Sequence, residues 1–99
     1  MDDADELQFC WDDGKAASNF EKHGVSFEQA TYLFDDVWRV ERGDLFAEGE
    51  YRSIAIGRVH GKLLTVIYTA LGEHLYRIIS ARFATRSERD DYEQDLFHS

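Results

Sequence analysis

No proline occurs in these 99 residues, and cysteine appears once, as Cys10. Without proline the chain favours compact regular elements over stiff linkers. A lone cysteine forms no internal disulfide and no cysteine metal cluster, which suits a reducing cytosol. No apolar run is long enough to span a membrane, and the N-terminus, Met1 to Glu6, is acidic where a signal peptide is basic. The expectation is a cytoplasmic protein with no membrane partner. His23, His60, His74 and His98 are scattered, with no second histidine or carboxylate at ligand spacing. P-loop, GxGxxG, HExxH and nucleophile-elbow patterns are missing too. Neither metal nor cofactor is therefore expected. Basic charge is scarce overall: the net charge is −9, which taken alone argues against a nucleic-acid partner.

The charge that is present is unevenly placed. Residues 1–50 hold fourteen acids against four bases, whereas residues 51–99 hold six against seven. From Arg52 to Arg89 the bases are Arg52, Arg58, Lys62, Arg77, Arg82, Arg86 and Arg89, and the only acids are Glu73 and Glu88. The plain explanation is strands carrying arginine on their solvent side. The alternative is an anion site inside an otherwise acidic protein.

Length sets one domain over residues 7–99, preceded by an acidic arm, residues 1–6, expected to be disordered. Leu7 to Trp11 reads as a short strand. Asp12 or Asp13 can cap a helix that ends at Gly24. Ser26, with Gln29 three residues on, starts a second helix whose Phe27, Ala30, Leu33 and Phe34 share one face. The two make an αα-hairpin. Val37 to Val40 reads as a strand and Glu41 to Glu50 as a polar, glycine-punctuated loop. Tyr51–Val59, Lys62–Ala70 and Leu75–Ala81 read as an antiparallel meander, because their connections are too short for parallel crossovers. A final helix starts with the capping box Thr85-Arg86-Ser87-Glu88 and runs to about Phe97, anchored by Tyr92, Leu96 and Phe97. Trp11, Trp38 and Cys10 are assigned to the core. The order β-α-α-β-β-β-β-α gives an α+β domain with its helices packed on one curved antiparallel sheet.

Candidate chemistry lies at two places. Arg77, Arg82, Arg86 and Arg89 are placed around one strand-to-helix junction, where free N–H groups and the helix dipole favour an anion. Arg82 and Arg86 would hold a phosphate there, supported by Arg52 and Arg77, with Lys62 in the same basic segment as a substrate contact. The second place is Lys22-His23, a cation beside an imidazole at a helix end. RNA cleavage suits such a set. The ribose supplies its own 2′-hydroxyl nucleophile, arginines neutralise the phosphorane, and a histidine moves protons. The helix dipole alone explains a C-terminal His23 equally well. Tyr68 could donate a hydrogen bond, although a strand tyrosine more often packs.

Four segments carry a resemblance: K-H-G-V-S-F-E-Q-A (Lys22–Ala30), Y-R-S-I-A-I-G (Tyr51–Gly57), V-I-Y-T (Val66–Thr69) and R-I-I-S-A-R-x-A-T-R-x-E-R-x-x-Y (Arg77–Tyr92). Together they resemble the BrnT-type toxins of type II toxin–antitoxin modules, in register from Phe9 to Tyr92. The resemblance implies a RelE-like fold and a ribonuclease that arrests translation. It implies neutralisation by a BrnA-type antitoxin with a ribbon-helix-helix domain, through which the complex represses its own operon. Carried over by position, the matching polar residues are Lys22, His23, Arg52, Tyr68, Arg77, Arg82 and Arg86. The chain departs from the pattern at Ala70-Leu71 and Phe83, where the family often has charged residues. Those departures and the acidic net charge motivate an alternative: a catalytically weakened member acting chiefly as an antitoxin-binding co-repressor. Direct DNA binding is disfavoured, because the helices are acidic and no recognition-helix pattern occurs.

Overall fold

The computed structural model describes residues 6–98, without the side chains of Asp44 and residues 95–98. Most of the expected arm and the expected anchors Leu96 and Phe97 therefore lie outside the described residues and side chains. The elements are β1 (Gln8–Cys10), α1 (Asp13–His23), α2 (Phe27–Thr31) continuing as a 3-10 turn (Tyr32–Asp35), β2 (Val40–Ala47), β3 (Glu50–Val59), β4 (Lys62–Ala70), β5 (Leu75–Phe83) and α3 (Arg86–His98). The expected α+β order is present. The sheet runs β1-β5-β4-β3-β2. β2 to β5 are antiparallel to their neighbours, but β1 joins β5 in parallel, so the sheet is mixed rather than wholly antiparallel. The αα-hairpin between β1 and the rest supplies the long connection that parallel pairing needs.

The local signals act as chemistry requires. Asp12 accepts the Lys15 N–H at 2.9 Å, and Ser26 accepts the Gln29 N–H at 3.0 Å. Gly24 closes α1 at φ 70°, a conformation that costs glycine little. Thr85 and Glu88 exchange both bonds of a capping box at the start of α3. The hairpin turns Glu48-Gly49 and His60-Gly61 each place two residues at positive φ, the combination that matches the twist of the flanking strands.

Four expectations need correction. The segment expected as a loop, Glu41 to Glu50, is mostly β2 and its turn, with a register shift between Arg42 and Leu45. Its polar side chains mark an exposed edge strand rather than a break in the sheet. The expected strand at Val37 starts only at Val40. Trp38 is 54% exposed and lies outside the core. Cys10 is half-buried, whereas Trp11 does pack, edge-on to Phe27 at 5.9 Å.

Two cores lie on opposite faces of the sheet. On one face, Phe27, Ala30, Leu33 and Phe34 from the second helix and its continuation bury against Ala55, Leu64, Val66, Tyr68, Ile78 and Ala81. On the other, Tyr92 of α3 packs on Val40 and Ile56, with Ile54, Leu63 and Ala84 around it. Tyr92 also donates to Asp36 at 2.8 Å, and Asp36 accepts the Arg58 N–H at 2.8 Å, which ties α3 to the sheet. That second face is covered near α3 and left open toward the start of β3. A further tie closes the edge of β5 beyond the short β1: the buried Asn19 amide of α1 donates to the Ala81 and Val25 carbonyls and accepts the Ala81 N–H. It replaces a missing strand neighbour.

Candidate functional site

The site is built on the open face. Side chains alternate along a strand, so Tyr76, Ile78 and Ala81 cannot all face the same core on a regular β5. The register shifts between Ile67 and Tyr68 of β4, which leaves Ile79 opposite no partner. This bulge re-phases the strand. Arg77 and Arg82 are an odd number of residues apart, yet both lie on the open face, with Ser80 between them. Three rows cross that face. One pairs Thr69 with Arg77, with Arg52 one residue beyond the last paired position of β3, Ser53; the next is Ile54, Ile67 and Ser80; the third is Ile56, Thr65 and Arg82.

The expected single arginine corner is not formed. Thr69 and Thr65 are four residues apart on β4, so Arg77 and Arg82 sit roughly 13 Å apart along the sheet. Each is held by an acid. Arg82 makes a two-pronged pair with Glu88, at 2.7 and 2.9 Å. Glu88 also accepts the Thr65 hydroxyl at 2.9 Å and the Thr85 N–H at 2.8 Å. Arg82 above all, against a smaller opposing effect of burial, holds the Glu88 carboxyl down at about 2. Arg82 is thus a strut between β5 and α3. Arg86, at the first position of α3, is exposed and has no ion pair among the described residues. It stands four residues from Arg82 and shares none of that arginine's partners among the described residues.

Arg52 and Arg77 do converge. Both guanidinium groups bind the carboxylate of Glu50, Arg77 on one oxygen and Arg52 on the other at 3.5 Å. Arg52 also reaches Glu48 at 3.1 Å. Burial tends to raise the Glu50 pKa, but the two arginines outweigh it and hold the carboxyl below its ordinary range. Around this knot, Arg52 Nε and the buried Thr69 hydroxyl have no hydrogen-bond partner among the described residues. Two guanidinium groups on one bidentate oxyanion, with two polar groups unmet beside them, form a ready cradle for an anion with several oxygens.

The other expected residues divide. Lys22 and His23 lie at the exposed C-terminal end of α1 and line a cleft of about 380 Å³ with Asn19, Ile79 and Ser80. Ser80 thus borders this cleft and, opposite Ile67, also belongs to the open face. Lys62 is at the far end of the sheet, its Nζ 5.6 Å from the centre of the Phe83 ring. Tyr68 is on the opposite, helix-covered face. It stacks on Tyr76 at 4.5 Å and donates to Glu41 at 2.7 Å, and burial together with that bond raises its pKa. It serves packing rather than the arginine face. Missed in the sequence were Glu50, Thr69 and Ser80. Glu50 was hidden because it closed the segment expected as a loop; only with β3 starting at Glu50 does it stand two before Arg52 on one strand, hence on the same face. Thr69 and Ser80 had no signal, because the bulge fixes where Ser80 points.

A family model described as the ribonuclease toxin BrnT of type II toxin–antitoxin systems matches residues 11–88. The crystal structure of the Brucella abortus ribonuclease toxin BrnT is similar, at a TM-score of 0.60 and 24% identity over 81% of this chain and 99% of that one. At that identity the likeness speaks for the fold. No curated protein matches.

Proposed function

The chain belongs to the BrnT family of type II toxin–antitoxin ribonuclease toxins, and from that premise we propose that it cleaves RNA on the open sheet face, at the Arg52–Thr69–Arg77 row. The observation that carries the reading is the convergence of both arginines on one carboxylate, whose two oxygens occupy the place of two phosphate oxygens. In cleavage the 2′-hydroxyl attacks the adjacent phosphorus and loses its proton, and the 5′-oxygen leaves and gains one. Arg52 and Arg77 stabilise the extra charge on the phosphorane oxygens, and the Thr69 hydroxyl donates beside them. His23, flanked by Lys22, moves the proton from the α1 cleft that reaches Ser80. Arg82 keeps β5 and α3 in register, and Arg86 adds attraction for the strand. No step is assigned to a metal. The cellular effect is arrest of translation in the cytoplasm, relieved by a BrnA-like ribbon-helix-helix antitoxin. Operator DNA is reached only through that antitoxin.

The test is induction of the chain alone, followed by RNA integrity and growth. Wild type is expected to degrade RNA and stop growth, and Arg77→Ala is expected to do neither while keeping its melting temperature within a few degrees. Full toxicity in Arg77→Ala and Arg52→Ala alike would overturn this site. A second reading is favoured by one observation: Arg52, Arg77 and Arg82 are each already neutralised by a carboxylate of the same chain. In that reading the protein is a weakened nuclease that acts mainly by binding its antitoxin. Intact RNA after induction, together with tight capture of the ribbon-helix-helix protein, selects it.

A further inference from the structure

Three cations that no carboxylate holds among the described residues gather at the other end of the sheet. There the β3–β4 turn, the end of β5 and α3 enclose a cleft of about 500 Å³, lined by Arg58, Lys62, Leu63, Phe83, Arg89 and Glu93. Among the described residues, Arg58, Lys62 and Arg89 make no ion pair. Arg58 lies over the Tyr92 ring at 5.7 Å, and its neighbour Asp36 is engaged by backbone N–H groups and the Tyr92 hydroxyl. Glu93 is the one acid in the lining. Phe83 ends β5 opposite the buried Leu64 and two residues past the buried Ala81, yet it is itself 48% exposed. A half-exposed aromatic ring, over which Lys62 Nζ lies at 5.6 Å, beside two further cations that make no ion pair is a combination that holds single-stranded nucleic acid: cations on the backbone, and a π-face for an unstacked base once the lysine turns from the ring to a phosphate.

We infer that this cleft is a second RNA subsite, taking one nucleotide of the strand that flanks the scissile bond. Lys62, Arg89 and Arg58 hold its phosphates and Phe83 stacks on its base. The inference rests on the ribonuclease reading and adds a place to it. Lys62 and Thr69 are seven residues apart on β4, roughly 23 Å, so the subsite lies several nucleotides from the Arg52–Arg77 row. Single strands fit and duplexes do not, because a paired base offers no free face to Phe83. The acidic net charge of the protein then works as a guide, making this cleft with its unpaired cations the favoured landing place for the backbone.

The test is binding of an uncleavable 2′-O-methyl oligoribonucleotide, eight residues long, to the purified chain by fluorescence anisotropy over a salt series. Phe83→Ala and Phe83→Leu are both expected to weaken binding roughly five- to a hundredfold without changing the salt slope. The double variant Lys62→Ala/Arg89→Ala is expected to lower the slope of log affinity against log salt by about 1.4, at about 0.7 per lost phosphate contact. All three residues are exposed, so melting temperatures should hold. Wild-type affinity and slope in these variants would overturn the subsite. So would variants that keep RNA binding but lose capture of the antitoxin, since the cleft would then be a protein face. Cleavage assays separate the two levels: if wild type cuts RNA, Arg77→Ala does not, and the cleft variants match wild type, only the subsite falls. If wild type neither binds nor cuts RNA, both readings fall.

Discussion

Arg52, Arg77 and Arg82 carry the same charge as Arg58, Lys62 and Arg89, but the first three already hold a carboxylate and the second three do not. For the first group an incoming phosphate must displace a partner, then tolerate it nearby. The second group is open from the start. Cations counted along a sequence are therefore not a count of anion sites; what matters is which acid the fold sets opposite each one. The two groups also differ in what they can do. A caged guanidinium is fixed in place, which suits a reacting centre that must match a transition state. An uncaged one on a flexible stem suits loose, salt-sensitive holding of a backbone.

The largest effect should come from breaking the caged group itself. Arg77→Ala is expected to slow cleavage by on the order of a hundredfold or more, the cost of losing one preorganised donor to the phosphorane. Lys62→Ala is expected to slow it less than tenfold, and mainly at low substrate, because it affects holding rather than chemistry. Single-turnover rates on one labelled RNA check both. Equal losses would erase the distinction between the two regions.

Next comes the cage of Arg82, whose role is read as structural. Glu88 titrates at about 2 in the folded chain, well below its ordinary 4.5. A depressed carboxylate contributes stability that is present above the unfolded value and fades as pH falls from about 4.5 toward 2. After a discount for partial exposure, the contribution is about 2 kcal/mol. Glu88→Gln is expected to lower stability by about that much at pH 7 and to flatten the acid side of the stability curve. Thermal melts at pH 7 and pH 3 check this. An unchanged melting temperature at pH 7 would free Arg82 for a part in the chemistry.

Much of this was legible in the chain. The caps at Asp12, Ser26 and Thr85, the buried face of the second helix and the β3–β4–β5 meander all follow from local chemistry, and local chemistry decides them. The arginine corner was not legible, for two reasons. A bulge at Ile79 sets which face Arg82 and Ser80 take, and no residue there announces it. The partners of Arg77 and Arg52 lie in a segment whose acids and glycines looked like a loop, and only edge pairing turns it into β2 and the start of β3. Trp38 misled because aromatics usually bury, whereas here it sits in the exposed turn Val37-Trp38. His23 and Lys22 were found by adjacency in sequence, but their link to the open face needed the cleft beside Ser80.

The smallest effect is the most informative about the cage. At the proposed site Glu50 sits where a phosphodiester would sit, and on that reading it competes with substrate in every unbound molecule. Glu50→Gln keeps the shape and can still accept hydrogen bonds, but it removes the charge that makes the competition strong. RNA affinity at low salt is expected to rise about three- to tenfold, a gain of roughly 1 kcal/mol, with little change in melting temperature. Any loss of negative charge helps an acidic protein approach RNA, so the sign alone decides nothing. Asp90→Asn supplies the comparison: it changes the net charge equally from an exposed position on α3. If Glu50→Gln gains clearly more than Asp90→Asn, the carboxylate is a plug in the site. Equal gains mean that only overall charge is at work, and weaker binding in Glu50→Gln means that Glu50 orients Arg52 and Arg77 for the substrate rather than blocking it.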